Sequence, residues 1–192
     1  MIDPLGLNAI VIAYPDYSPQ IPSSWPLIGG TRPAEVGHAG ILIFDETNGF
    51  TRYYEYGRYT AHETGGISGA VINYPVPNLV IGENGLPTQE SLNAVFSIIS
   101  NRSAGGTRIE AVHVDDVEFS DMNTFGLAQV NNTDPNREPY SFLGNNCSHF
   151  TYDVLGAGGL EDLPTIFIPT PANFVEELVD DGYELITWEP DE

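Results

Sequence analysis

The single cysteine of the chain, Cys147, stands in the run Leu143-Gly144-Asn145-Asn146-Cys147-Ser148-His149-Phe150. More than a hundred residues earlier, His38 stands in Val36-Gly37-His38-Ala39-Gly40-Ile41. A thiol at the mouth of a helix and a histidine opening an apolar strand are the minimum equipment of a cysteine nucleophile and its general base. Asn146 is a good helix cap, which puts Cys147 in the first turn of a helix predicted to run through Phe150, Val154 and Leu155 and to stop before Gly156. Free amides and the dipole at that terminus stabilise an anion, so a cysteine there loses its proton more readily. The same amides, that of Cys147 first, could hold the oxyanion of a tetrahedral intermediate, with Asn146 and Asn145 as supporting groups. The competing reading is a buried, inert cysteine, because free cysteine is among the most buried residue types.

Three other histidines compete with His38. His149 lies two positions after Cys147 on the same helix, so it points roughly 200° away. His62 falls in a glycine-rich loop and His113 ends a strand among acidic neighbours, both read as surface positions. His38 opens a core strand, and its glycine and alanine neighbours are expected to leave room for a substrate. A third group should orient its ring. A hairpin through Asp45-Glu46-Thr47-Asn48-Gly49 pairs positions whose numbers sum to an odd value, so His38 shares a sheet face with Tyr53, Glu55, Gly57 and Tyr59. Glu55 is the carboxylate of that set. The alternatives are a salt bridge from Glu55 to Arg58 or Arg52, with Tyr53 or a neighbouring tyrosine as the orienting group.

The elements that must position these residues follow from pattern and punctuation. Strands are predicted at Asn8–Tyr14, His38–Phe44, Phe50–Tyr59, Ala70–Tyr74, Thr107–Val114 and Tyr183–Trp188, with Asn48-Gly49 as a type I′ turn. Pro15–Pro33, with five prolines, reads as an extended loop. Helices are predicted from Thr88 to about Asn101, from a Ser120 cap to about Val130, at Cys147, and from Thr170-Pro171 to a stop at Gly182. The fold class is α+β, and residues 8–192 are expected to form one domain.

Composition narrows the partners. The 192-residue chain has 27 acidic residues against six basic ones, a formal charge of −21, and every basic residue is arginine. Six scattered arginines cannot supply the basic footprint that nucleic acid needs, and anionic membranes are disfavoured for the same reason. A solubility role for the charge, or attraction to a basic neutralising protein, fits better. One cysteine excludes an internal disulfide, and no cluster of ligand-type residues has zinc-site spacing, so no metal and no cofactor are expected. No apolar run approaches the ~20 residues of a membrane span, and a monomer without stable membrane insertion is expected.

Two resemblances extend this reading. Asp3-Pro4-Leu5-Gly6-Leu7 resembles the motif that closes the core of bacterial Rhs (rearrangement hotspot) proteins. In that family the shell cleaves itself after the last leucine, and a variable toxin follows. The resemblance implies that residues 1–7 are a remnant of the cleavage motif. It also implies a toxin carried in an Rhs shell, secreted into a target cell as a type VI secretion effector, and neutralised by a cognate immunity protein. Separately, a strand histidine preceding Asn146-Cys147-Ser148-His149-Phe150 resembles the circularly permuted papain-like group, the relatives of NlpC-type cell-wall peptidases and lecithin retinol acyltransferase-like proteins. That resemblance, over about His38–Leu155, implies a central antiparallel sheet with the nucleophile helix packed on it. The acyltransferase branch has a second histidine near the position of Glu55, and this chain does not.

The expected function is therefore an antibacterial cysteine hydrolase acting on an amide bond, in peptidoglycan peptide or protein. The first alternative is a lipid-directed acyl hydrolase or acyltransferase, with Tyr14–Leu27, including Trp25, as its membrane-facing rim. The second is a non-catalytic binding module in which Cys147 is structural.

Overall fold

Two runs, Asn8–Tyr14 and His38–Phe44, are apolar along nearly their whole length, a pattern expected of strands covered on both faces. In the computed structural model they are β1 (Asn8–Tyr14) and β2 (His38–Phe44), buried at every position. The structure describes residues 8–18, 37–57, 69–134, 136–141, 144–161 and 170–190. The other strands are β3 (Thr51–Gly57), β4 (Ala70–Asn73), β5 (Ile109–Asp115) and β6 (Leu185–Trp188). Among the described residues they form one six-stranded antiparallel sheet in the order β4-β3-β2-β1-β5-β6. The helices are α1 (Gln89–Ala104), α2 (Phe119–Val130), α3 (Cys147–Ala157) and α4 (Pro171–Asp180).

Strict alternation gives the sheet two cores. One face presents Val11, Ile41, Ile43 and Tyr54 to α2, α3 and α4, through Met122, Phe150, Val154 and Phe174. The other presents Ile10, Ile12, Leu42 and Phe44 to α1, through Leu92, Val95, Phe96 and Ile99. Burying one such side chain is worth roughly 1.5–3 kcal/mol, so both faces contribute heavily to stability. His38 is the first residue of β2, at the rim of the sheet.

Local chemistry explains where the elements depart from sequence expectation. The β2–β3 turn is not a two-residue type I′ turn, because Asn48 keeps a negative φ and only Gly49 is left-handed, at 72°. Asp45 accepts bonds from Thr47 N, Thr47 Oγ1 and Asn48 Nδ2, and Gly49 N closes on Asp45 O at 2.7 Å. That Asp-centred network stabilises a wider turn. The second helix begins one residue before Ser120, with Glu118 at its cap position and no side-chain cap bond. Helix α3 does not stop before Gly156; it runs through it to Ala157, since glycine weakens a helix without ending it. Residues 1–7, His62, Arg58, Tyr59 and Trp25 lie outside the described residues, and so do the expectations attached to them.

Candidate active site

Helix α3 lies on one face of the sheet, yet its first residue reaches a ring whose strand neighbours belong to the other. The site sits at the rim where the two faces meet. Asn146 has extended φ and ψ, and its Oδ1 accepts from Ser148 N at 2.9 Å and His149 N at 3.2 Å. The cap thus occupies two of the first-turn amides and leaves that of Cys147 outside its reach. Of the amides that could serve an oxyanion, Cys147 N–H is the one this geometry leaves to the site. Asn145 is turned elsewhere: its Nδ2 donates to Tyr56 Oη and to the carbonyls of Glu138 and Pro139, bracing the loop before the helix.

The His38 ring is bonded through Nε2 to Glu55 Oε2 at 3.2 Å, and the Cys147 side chain lies beside the ring, near enough to raise its pKa. With Nε2 turned to the carboxylate, Nδ1 is the ring nitrogen left for the thiol. Glu55 faces Gly40 across the β2–β3 ladder, two positions along from His38, on the odd-sum register. Cys147, His38 and Glu55 are all buried, Glu55 to 1% exposure. Arg52, the rival partner for Glu55, instead lies over the Phe50 ring at 4.3 Å.

The electrostatics follow from these contacts. Burial alone would lower the His38 pKa, but the bonds and charges of Cys147 and Glu55 outweigh it and push it up to about 10. Burial would raise the Glu55 pKa; bonds to His38, Ser103 and Tyr53 and the imidazolium charge hold it below the ordinary carboxylate range. The ring is a cation and Glu55 an anion at neutral pH.

Sequence reasoning missed the aromatic cage around the base. Tyr14 is the ladder partner of His38, and its ring stacks on the imidazole with centroids 6.0 Å apart and planes at 14°. Tyr17 tilts against the same ring at 5.8 Å. Tyr14 is fully buried and cannot form a membrane-facing rim. Glycine at position 37 has a conformational reason as well: its φ is 69°, and an added Cβ would lie 2.9 Å from Tyr14 O. The β1–β2 register carries this information, and the long stretch of sequence between the strands hides it. His149 bonds Asn146 Oδ1 through Nδ1 at 3.0 Å, reinforcing the cap. His113 is partly buried, bonded to Asn8 Oδ1 and stacked on Phe44.

A cleft of about 210 Å³ flanks the loop that delivers α3, lined in part by Tyr56, Arg137, Asn145, Phe150 and Asp153. Among the described residues no group of three or more metal-type ligands is clustered, and no helix is long and apolar enough to cross a membrane.

A family model for TseH-like type VI secretion system effectors matches residues 9–160. The crystal structure of the type VI secretion system effector TseH superposes with a TM-score of 0.79 at 28% identity, over 98% of this chain and 95% of that one. No curated protein matches the sequence.

Proposed function

The chain belongs to the TseH-like family of type VI secretion system effectors, and within that family we propose that it is a cysteine hydrolase acting on an amide bond of the target cell. The observation that carries this reading is the contiguous Cys147–His38–Glu55 string, with the imidazole flanked by a thiol and a carboxylate. In the proposed cycle His38 holds the thiol proton as an imidazolium, and Cys147 attacks the carbonyl as a thiolate. The Cys147 amide donates to the developing oxyanion. His38 then protonates the leaving amine, and water, deprotonated by the same ring, releases the acyl group. Glu55 keeps the ring oriented and its charge compensated throughout.

The reading includes a permuted papain-like fold, supported by a strand histidine that precedes the capped cysteine helix. A carboxylate at Glu55, where the acyltransferase branch has histidine, favours hydrolysis over acyl transfer. The resemblance of Asp3–Leu7 to the Rhs closing motif supports carriage in an Rhs shell. A chain of charge −21 suits a basic immunity protein.

Expression in bacteria with and without a periplasmic signal, beside Cys147→Ala, tests the proposal. Growth arrest is expected in one compartment only and is expected to vanish in the variant. A Cys147→Ala protein that folds and still kills overturns the hydrolase reading.

A further inference from the structure

The proposed chemistry uses three side chains, but the buried polar string does not end at Glu55. The oxygen that meets His38, Glu55 Oε2, also accepts the Tyr53 hydroxyl at 2.8 Å. A carboxylate only accepts, so Tyr53 is the donor there. The Tyr14 hydroxyl lies 3.0 Å from the Tyr53 oxygen. With the Tyr53 proton already committed to Glu55, Tyr14 must donate to Tyr53. On the α1 side Ser103 is near enough to Glu55 to help lower its pKa, and the Tyr74 hydroxyl lies 2.6 Å from Ser103 Oγ.

On the reading that Cys147, His38 and Glu55 form the reacting site, we propose that Tyr53, braced by Tyr14, is a positioning residue that holds the Glu55 carboxylate against the His38 ring and so keeps the Cys147–His38 pair charged. The backbone is cut to fit this ring. A Cβ added at Gly40, directly across the ladder from Glu55, would overlap the hydroxyl and ring of Tyr53. The glycine of His38-Ala39-Gly40 therefore makes room for an internal tyrosine. Tyr14 acts twice, stacking on the imidazole and donating toward the carboxylate that the imidazole meets. Burial pushes both hydroxyls well above their ordinary pKa, so each stays a donor across the working range. Among the described residues the groups facing Glu55 are His38 from β2, Tyr53 from β3, Ser103 from α1 and Tyr14 from β1 through Tyr53, with Cys147 of α3 beyond the ring and Tyr74 after β4 beyond Ser103. Without the Tyr53 hydroxyl, Oε2 loses one of its donors, and the carboxylate relaxes by rotating or by taking a proton. Either response releases the imidazolium.

The lone cysteine makes this measurable without a substrate. The rate of iodoacetamide alkylation at pH 6, divided by that at pH 10, reads the charged pair and cancels access, because at pH 10 an ordinary thiol is ionised too. Wild type is expected to keep much of its rate at pH 6, where an ordinary thiol would fall to roughly one part in 300. Tyr53→Phe, which keeps the ring, is expected to lower the ratio about tenfold or more, the size of one hydrogen bond to a charged group. Tyr14→Phe is expected to lower it about threefold, for a neutral bond one step removed. A Tyr53→Phe ratio equal to wild type overturns the positioning role, whatever happens to thermal stability. If Tyr53→Phe does not fold, an unchanged ratio in Tyr14→Phe overturns it instead. An ordinary thiol profile in wild type is a different failure: it sinks the hydrolase reading and the positioning role with it.

Discussion

Two histidines stand at opposite ends of the same sheet face, and they differ in what holds them. His38 and His113 are both largely removed from water, and each stacks on an aromatic ring 6.0 Å away, Tyr14 for one and Phe44 for the other. Each presents Nε2 to an oxygen of a side chain on a neighbouring strand. At His113 that oxygen belongs to Asn8, whose Nδ2 in turn donates to Glu46 at 3.0 Å, so the carboxylate is one residue removed. Burial therefore prevails, and the His113 pKa is lowered. At His38 the oxygen is the carboxylate itself and the thiol of Cys147 is added, and the pKa rises to about 10. Burial and stacking are common to both ends. What separates a structural histidine from a candidate base is the identity of two contacting groups.

The sharpest break between the two ends is expected from deletion. Cys147→Ala and His38→Ala should each cut turnover by roughly 10³-fold or more and should not add, since nucleophile and base act as a unit. His113→Ala should leave turnover within about twofold and lower the melting temperature instead. Toxicity and thermal melts on the three proteins decide this; equal losses at His38 and His113 would erase the distinction.

Glu55→Gln makes the His38 end resemble the His113 end. Turnover is expected to fall by roughly 10²–10⁴-fold with little change in KM, by analogy with the orienting carboxylate of serine triads. The His38 resonance should then titrate well below about 10 in histidine-selective NMR. A Gln variant with unchanged titration would make the thiol the sole cause of the shift.

Stability should carry the same signature. The His38 pKa is raised from 6.5 to about 10, so its contribution is complete below pH 6.5 and lost as pH climbs from 6.5 to 10. Glu55 is lowered from 4.5, so its contribution is complete above pH 4.5 and lost as pH falls below it. The wild-type melting temperature should therefore be highest between about pH 4.5 and 6.5 as far as this pair is concerned. Cys147→Ala removes the largest upward cause at His38, so its alkaline decline should be shallower. Parallel alkaline limbs in the two proteins would contradict the coupling.

The smallest effect is the reciprocal change. Asn8→Asp should raise the His113 pKa by about one unit or more without altering turnover, because it supplies a carboxylate but no thiol. An unmoved His113 resonance would show that burial alone governs that end.

Much of this arrangement was legible in the sequence, for identifiable reasons. Alternation and the odd-sum hairpin put Glu55 on the His38 face, and the wider turn around Asp45 kept that parity. The Asn146 cap was legible because its side chain acts within three residues. The Tyr14 and Tyr17 contacts were not, since they depend on a β1–β2 register between strands far apart in sequence. Nor was Ser103, which comes to Glu55 from a helix packed across the sheet. The partial cover of His113 was not legible either, since Asn8 and Phe44 come from two other strands. Short-range periodicity reveals a face; it does not reveal what a distant element lays upon it.

The placement of Cys147 on α3, with His38, Tyr53 and Glu55 on one hairpin, also bears on when chemistry can begin during folding. The hairpin half closes a loop of only 17 residues between His38 and Glu55. The thiol comes from more than a hundred residues beyond His38, on a helix that packs on β2 and β3. Such long-range closures carry a larger entropic cost and form late. An incompletely folded chain thus has a base without a nucleophile, and undocking of α3 alone returns the protein to that silent state.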